Sequence, residues 1–363
     1  MIQPDEYWMN RALRLAEKGR PFTSPNPLVG ACLVKHHQLI AEGYHTRFGC
    51  PHAEIEVLSR AGKKAAGATL YVTLEPCSTY GKTPPCTEAI KRAKIKKVVI
   101  GTIDPNPKHN GRSISFFKKN DIQVKTGILK GRVLEQNETF IKWIKSGLPF
   151  VVLKMAQSLD GKIASKTGSS RWISGEKARH WVHHLRARMD AVLIGKNTLF
   201  TDDPRLTARN GQISKLPWRI ILDSNAESSV HSRIFKQKGP VVLVCLEQNA
   251  KKAVRKFDRL SVTVLPIQER KGKVDLHELM KHLGSVGISS LLVEGGGEVA
   301  WSFIEEKLVD KICWVIAPKI IGGRNAKTSV EGEGISLLDR APKIRSLRSR
   351  FLGEDLLIEG YCN

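Results

Sequence analysis

Along the first hundred positions the apolar residues switch between a helical period and a strand period. Trp8, Ala12, Leu15 and Ala16 fall on one side of a helix predicted over Tyr7–Lys18, which Gly19 ends. Val29–Val34 and Leu39–Gly43 predict a hairpin around His36-His37-Gln38. A helix over His52–Ala61, a strand over Thr69–Leu74, a helix over Thr87–Lys94 and a short strand over Lys97–Gly101 follow. Asn137–Pro149 reads as the crossing between two domains, and Phe150 opens a second series. Its strands are expected at Val151–Met155, Ala191–Ile194, Arg219–Leu222, Val241–Cys245, Ser290–Val293 and Lys311–Ile316, with helices at Glu176–Arg188 and Glu298–Lys307. Strands alternating with helices predict an α/β architecture of helix-covered sheets. A chain of 363 residues has room for two such domains.

Composition narrows the class. No apolar run is long enough to span a bilayer, and Met1–Asn10 carries acidic residues and no apolar signal core, so neither a membrane span nor a secretory leader is expected. Seven cysteines, an odd number, argue against a disulfide framework and for a reducing compartment, the cytoplasm by default. Cys32, Cys245, Cys313 and Cys362 read as isolated apolar residues. The net charge of +24 fits either a lysine-rich solvated surface or attraction of phosphate-bearing ligands or nucleic acid. Basic stretches such as Lys251–Arg255 read most simply as solvated helix faces.

Two places carry candidate chemistry. The first combines Pro51-His52-Ala53-Glu54, Glu75-Pro76-Cys77 and Pro84-Pro85-Cys86. Imidazole nitrogen and thiolate sulfur suit zinc, and three protein ligands leave the fourth position to water, whose pKa such a metal brings to about 7. A carboxylate two residues after the histidine can move that water's proton without binding the metal. Zinc deaminases combine H-x-E with P-C-x-x-C; here eight residues separate the cysteines, so the short form does not fit. The competing reading is a structural zinc knuckle, for which Cys50 is the candidate fourth ligand. The second place is Glu294-Gly295-Gly296-Gly297, between the strand at Ser290–Val293 and a helix. Glycines there let backbone N–H groups approach a phosphate, although the spacing is not G-x-G-x-x-G and a tight turn explains it equally well.

These pieces resemble a known family. Asn26-Pro27-Leu28-Val29-Gly30, His52-Ala53-Glu54, Leu74-Glu75-Pro76-Cys77-Ser78, Thr83-Pro84-Pro85-Cys86 and Asp104-Pro105-Asn106-Pro107 are similar to the deaminase half of the bifunctional riboflavin biosynthesis deaminase/reductases. Lys154–Gly161, Trp172-Ile173-Ser174, Leu185-Arg186-Ala187, Asp202-Asp203-Pro204, Leu222-Asp223-Ser224 and Glu294-Gly295-Gly296 resemble the reductase half, in order. The resemblance implies a cytidine deaminase-like three-layer domain over 1–147 and a dihydrofolate reductase-like α/β domain over 148–363. It implies two successive reactions on a phosphorylated aminopyrimidine. A zinc-dependent deamination of a diaminopyrimidinone ribosylamine phosphate comes first, then NADPH-dependent reduction of its ribosyl group to ribityl.

By the same resemblance His52, Cys77 and Cys86 hold one Zn2+ and Glu54 is the proton shuttle, while Asn26, His45, Lys82, Asp104 and Asn106 bind the deaminase substrate. Lys82 is a point charge suited to phosphate, and Asp104-Pro105-Asn106 also has the composition of a plain turn. The NADPH side is expected at Ala156, Trp172, Thr198, Asp202, Ser224 and the run Gly296, Gly297, Glu298, Val299, Ala300, Trp301, Ser302. The reductase substrate side is expected at Ser170, Arg186, Leu206, Arg209 and Glu294. Arg186 and Arg209 suit a bidentate phosphate grip; from its basic helix alone, Arg186 reads as a surface position. His180, His183 and His184 are not expected to bind metal. Thr79 stands where the family often has histidine, and Ser113 and Asn197 where glycine is common. A small-molecule enzyme with no nucleic-acid or membrane partner, assembling as a homo-oligomer, is the expectation. The alternative is a nucleic-acid or nucleoside editing zinc deaminase with a basic accessory domain.

Overall fold

Strand side chains in the first part of the chain alternate between two buried sides, and that alternation sets the layering. The computed structural model describes residues 4–80, 84–208 and 216–362. Its first compact unit, Met1–Gly147, contains α1 (Asp5–Glu17), β1 (Gly30–Lys35), β2 (Gln38–Tyr44), α2 (Ala53–Ala61), β3 (Thr69–Leu74), α3 (Cys86–Arg92), β4 (Lys97–Thr102), α4 (Arg112–Lys119), β5 (Gln123–Thr126), α5 (Lys130–Gln136) and α6 (Glu138–Ser146). The sheet order is β2-β1-β3-β4-β5, with β3, β4 and β5 parallel. Ala31, Leu33, Leu70, Val72, Val98 and Ile100 pack toward Val57 of α2, Ile90 of α3 and Phe117 of α4. Cys32, Tyr71 and Val99 face Trp8, Met9, Ala12 and Leu15 of α1 on the other side. A β-carbon on Gly30 would fall 2.0 Å from the Ala12 carbonyl oxygen, so glycine sets how closely α1 lies on the sheet. The hairpin β1–β2 turns on two residues, His36 and His37, both at positive φ (49° and 61°).

The segment expected to cross between domains is mostly helical. Phe140, Ile141 and Ile144 fall at helical spacing within α6, and Gly147, at φ 71°, ends it in the left-handed conformation glycine favours. Asn137 in front of it is buried; its side chain accepts from Leu28 N–H (2.8 Å) and donates to the Leu28 carbonyl (3.1 Å). Those bonds hold the preceding residues in a defined place.

The second unit, Leu148–Asn363, contains β6 (Phe150–Ser158), α7 (Glu176–Arg188), β7 (Ala191–Gly195), α8 (Lys196–Asp202), β8 (Trp218–Leu222), β9 (Val241–Leu246), α9 (Ala250–Phe257), β10 (Val262–Ile267), the two-residue strands β11 (Glu269–Arg270) and β12 (Lys273–Val274), α10 (Leu276–Ser285), β13 (Ser290–Glu294), α11 (Gly297–Glu305), β14 (Lys311–Ala317), β15 (Ile344–Leu352) and β16 (Asp355–Cys362). Nine strands form one sheet in the order β10-β9-β8-β7-β13-β6-β14-β16-β15, parallel from β10 to β14 and antiparallel beyond. One face packs on Leu279, Met280 and Leu283 of α10 and Phe303 of α11, the other on Ala178 of α7, Leu199 of α8 and Phe257 of α9. Continuous apolar strands are what a parallel sheet covered on both faces requires. Among the described residues no helix is long and apolar enough to cross a membrane.

Asp190, just before β7, pins the start of β13. Its Oδ2 accepts from the backbone N–H and the hydroxyl of both Ser289 and Ser290, at 2.8 to 3.2 Å. Replacing Asp190 with Ala strands four buried donors, so it is expected to cost about 3 kcal/mol. Calorimetry should show the transition of this unit falling by on the order of 10 °C.

Candidate functional site: a histidine–dithiol centre and a buried charge cluster

Strand β3 ends at Leu74, and the chain leaves the sheet through Glu75-Pro76-Cys77. The N-terminus of α2 arrives beside it, with His52 in the extended cap conformation (φ −70°, ψ 160°), and α3 starts at Cys86. His52 Nδ1 lies 3.6 Å from Cys77 Sγ and 3.3 Å from Cys86 Sγ, and the Cys86 backbone N–H donates to Cys77 Sγ at 3.3 Å. The three ligand atoms lie within 4.8 Å of one another. Among the described residues no other His, Cys, Asp or Glu joins this group, and Cys50 stands outside it. One imidazole and two sulfurs with no fourth protein donor is the donor set of an open, catalytic zinc site rather than a closed structural one.

Glu54, two residues into the same helix arm, is buried, and its carboxyl interacts with the sulfur of Cys86. Burial raises its pKa above the ordinary carboxylate range, against the pull of His52. His52 is pushed up to about 9 by its bond to the Cys77 sulfur. Cys77 is lowered, chiefly because Cys86 donates to it, and Cys86 is raised by the same bond and by burial.

The neighbouring side chains are oriented by their own bonds. His45 Nδ1 faces the Pro51 carbonyl at 3.0 Å and Nε2 faces Asn26 Nδ2 at 3.2 Å. A carbonyl only accepts, so the proton sits on Nδ1 and Nε2 accepts from the Asn26 amide. Burial lowers the His45 pKa, which keeps the ring neutral, and the ring meets His52 edge-on at 5.4 Å. Asp104 follows β4 at the same end of the sheet. Its Oδ1 accepts from Asn106 N–H (2.8 Å), and Asn106 Oδ1 from Lys108 N–H (3.0 Å), so the turn reading of this segment holds in its backbone. The buried carboxylate of Glu75 joins the two loops: it accepts from the N–H groups of Asp104, Gly111 and Ser113 and from the Ser113 hydroxyl, at 2.8 to 3.1 Å. Ser113, where glycine is common in the family, thus supplies an extra bond. Lys82 lies outside the described residues.

In the second unit Ala156, Glu294, Thr198 and Ser224 lie near or just beyond the C-terminal ends of β6, β13, β7 and β8. Arg186 is not a surface residue. Its Nε and Nη2 grip the Glu294 carboxylate at 2.6 and 2.8 Å, both side chains being largely buried, so the fork expected to hold a phosphate holds Glu294 instead. Burial pushes Glu294 up, but Arg186 and Lys154 together hold it below the usual carboxylate range. Lys154, paired in register with Glu294 across β6 and β13, is lowered by burial. Sequence reasoning gave it no role; the available signal was a lone ammonium inside the apolar strand Phe150–Met155.

Ser170 Oγ donates to Asp202 Oδ1 (2.8 Å), and Trp172 is exposed, with the Arg179 guanidinium 4.6 Å over its ring. Thr198 Oγ1 is 3.8 Å from where a β-carbon of Gly296 would lie, while one on Gly297 would meet the Thr328 carbonyl at 2.7 Å. The glycine turn is therefore a close approach, with Gly296 capping α11. Of the run Gly296–Ser302, Gly297, Ala300 and Trp301 are buried, Glu298 is exposed and Val299 packs beside the core. Leu206 is likewise buried, at φ 50°. Ala156 lies two residues beyond Lys154 on β6, and Ser224 in the turn after β8. Asn197 lies inside α8 with no positive φ, so glycine is not required there. Arg209 lies outside the described residues. Among the described residues His180, His183 and His184 form no metal-holding group.

Comparison with known proteins agrees with this geometry. Residues 2–102 match the cytidine and deoxycytidylate deaminase zinc-binding region, and residues 149–358 match the RibD C-terminal domain. The riboflavin biosynthesis protein RibD of Aquifex aeolicus is 41% identical over 355 residues, covering 98% of this chain and 97% of that protein. The chain belongs to the RibD family. RibD of Escherichia coli is 38% identical, with 98% of each chain covered. The solved structure of a diaminohydroxyphosphoribosylaminopyrimidine deaminase/5-amino-6-(5-phosphoribosylamino)uracil reductase from Thermotoga maritima is similar at a TM-score of 0.89, with 36% identity and 99% of each chain covered. RibD of Acinetobacter baumannii gives 0.88 at 35% identity and the same coverage. The fold is thus a cytidine deaminase-like unit followed by a RibD-type reductase unit, and the nucleic-acid-editing alternative is not favoured.

The protonation pattern has a measurable consequence. At pH 7 the metal-free site holds protons on His52 and Cys86, whose pKa values are raised, and none on Cys77, whose pKa is lowered. Zinc takes neutral imidazole and two thiolates, so binding at pH 7 should release about two protons, and zinc affinity should fall steadily as pH drops from about 9. Titrating zinc into metal-stripped protein in buffers of different ionisation enthalpy counts these protons.

Proposed function

We propose that residues 1–147 form a zinc-dependent deaminase and residues 148–363 an NADPH-dependent reductase, working in succession on one phosphorylated aminopyrimidine. As a RibD-family member the chain is a bifunctional enzyme of riboflavin biosynthesis. The first reaction replaces the ring amino group of 2,5-diamino-6-ribosylamino-4(3H)-pyrimidinone 5′-phosphate by oxygen and releases ammonia. The second reduces the ribosyl group to give 5-amino-6-(5-phospho-ribitylamino)uracil.

The observation that carries the first step is the convergence of His52 Nδ1, Cys77 Sγ and Cys86 Sγ beside the buried Glu54. His52, Cys77 and Cys86 would hold the zinc, which would supply a Lewis acid that brings hydroxide within reach near neutral pH. Glu54 takes the proton of the attacking water and returns it to the departing amine nitrogen. A carboxyl raised by burial suits both directions, because a general acid–base works best with a pKa near the operating pH. Asn26, held by neutral His45, keeps its amide oxygen for a polar group of the substrate, and Asp104 and Asn106 border the same end of the sheet. Lys82 is assigned to the substrate phosphate.

For the second step NADPH supplies the hydride. The glycine turn at Gly295–Gly297, with Ala156, Trp172, Thr198, Asp202 and Ser224, is assigned to that cofactor. Ser170, Arg186, Leu206, Arg209 and Glu294 are assigned to the substrate. Arg186 acts by fixing the Glu294 carboxylate in place rather than by gripping the phosphate. A homo-oligomer acting on small molecules, without nucleic acid, in the reducing cytoplasm completes this reading; the seven free cysteines fit such a compartment.

Glu54→Gln should lower ammonia release by at least about 100-fold while the protein keeps its zinc, measured by ammonia assay and metal analysis of the same preparation. Undiminished deamination would remove Glu54 from the mechanism. NADPH oxidation by the wild type, followed by absorbance, should appear with the deaminated intermediate and not with the diaminopyrimidinone alone once Glu54→Gln blocks the first step. Oxidation of NADPH in that second case would break the proposed order.

A further inference from the structure

Asn137 stands at the bend between α5 and α6, capping the end of one helix and the start of the other (φ −109°, ψ 19°). Its backbone is tied locally. The N–H donates to the Val133 and Leu134 carbonyls (3.1 and 3.2 Å), and the carbonyl accepts from Ile141 N–H (2.9 Å). An asparagine in front of a helix ordinarily turns its side chain onto that helix's free N–H groups. Asn137 makes no such bond. Its amide instead takes both backbone groups of Leu28, 109 positions away in sequence, accepting from the N–H at 2.8 Å and donating to the carbonyl at 3.1 Å. Both residues are buried. A helix cap is given up for a distant contact.

Leu28 is two residues from Asn26, with Pro27 between them. The proline ring fixes one of the few torsions through which Asn26 could swing relative to a pinned Leu28. His45 holds the same short segment: its N–H donates to the Val29 carbonyl (2.9 Å), and its Nε2 accepts from Asn26 Nδ2 (3.2 Å). Asn26 N–H closes a turn onto the Thr23 carbonyl (2.8 Å). Gln136, next to Asn137, grips the other end of the segment. Its carbonyl accepts from Arg20 Nη2 (3.0 Å), and its side-chain amide donates to the Leu13 carbonyl (3.0 Å) and to Glu17 Oε2 (3.1 Å). The loop that carries Asn26 is therefore set in place from the α5–α6 bend before any ligand arrives. A polar contact on a preset loop keeps the affinity that a floppy loop loses to ordering.

We propose that Asn137 is a positioning residue of the deaminase: by holding the backbone of Leu28 it aims the Asn26 amide at the aminopyrimidine. It acts through Asn26 and not on the substrate itself. This rests on the reading that Asn26 binds the deaminase substrate.

Ammonia release from 2,5-diamino-6-ribosylamino-4(3H)-pyrimidinone 5′-phosphate by the full chain tests it. Asn137→Ala should raise KM about ten-fold, the worth of one hydrogen bond. Zinc content and kcat should stay nearly unchanged, the pattern of lost substrate binding. Asn137→Asp keeps the acceptor for Leu28 N–H and should fall between Asn137→Ala and the wild type. Pro27→Gly frees Asn26 from the pinned residue without opening the interior and should raise KM by a similar factor. Asn26→Ala should also raise KM, and Asn137→Ala added to it should raise KM little further, because two changes acting through one contact do not add. A purely structural Asn137 lowers the melting temperature and leaves KM alone, or adds its full effect in the Asn26→Ala background. Either result overturns the proposal, as does wild-type KM in Pro27→Gly, which carries the test should the Asn137 variants not fold. If Asn26→Ala itself leaves KM unchanged, the assignment of Asn26 to the substrate falls together with this proposal. Wild type that releases no ammonia overturns the deaminase reading as well.

Discussion

In both units the central strands are buried on both faces, and this constraint governs where chemistry can sit. A side chain in the middle of β3, β4, β7 or β13 meets a helix whichever way it points, so apolar residues occupy those positions almost without interruption. Polar groups are displaced to where the strands run out. Parallel strands run out together, in register, at one edge of the sheet, which is the usual place for ligands in such folds. Cys77 and Asp104 share an edge because β3 and β4 are parallel and Leu74 stands opposite Thr102. Glu294, Lys196 and Ser224 share another because β13, β7 and β8 are parallel.

Much of this was legible in the sequence, and for a definite reason. The strand Thr69–Leu74 is a short apolar run and the helix Glu176–Arg188 starts after Gly175, so turn residues and composition locate them. The candidate zinc-holding group His52, Cys77 and Cys86 was legible because the chemistry restricts such ligands to a few residue types, here near proline turns. Three things were not. Helix α6 is short and amphipathic, with Phe140, Ile141 and Ile144 at helical spacing, but Gly147 and Pro149 follow it and it reads as linker. The Arg186–Glu294 pair is 108 positions apart in sequence, and nothing local distinguishes a buried arginine on a basic helix from an exposed one. The role of Glu75 depends on four donors from a loop roughly thirty residues away, which only the fold assembles.

The charges divide into two populations with different duties. Most of the net charge of +24 lies on lysines and arginines in contact with solvent, where salt screens it and pairs are worth little. A smaller set is buried and matched: Arg186 with Glu294 and Lys154. Arg219 is held differently: its Nη1 and Nη2 donate to the carbonyls of Ile234, Gln237, Lys238 and Gly239, and among the described residues no carboxylate is bonded to it. Such groups fix geometry because leaving any partner unpaired in the interior is expensive. Net charge therefore says little about the reaction, whereas a few desolvated charges decide which atoms can meet.

Eight residues separate Cys77 from Cys86 along the sequence. Their two ends are already tied by protein bonds, since Cys86 N–H donates to Cys77 Sγ and Thr87 N–H to the Cys77 carbonyl at 3.3 Å. A segment closed at its base can change in length or content at little thermodynamic expense, because loop closure depends only weakly on length. Residues between the two cysteines can then change while the coordinating atoms stay where they are, so such a centre tolerates insertion between its own ligands.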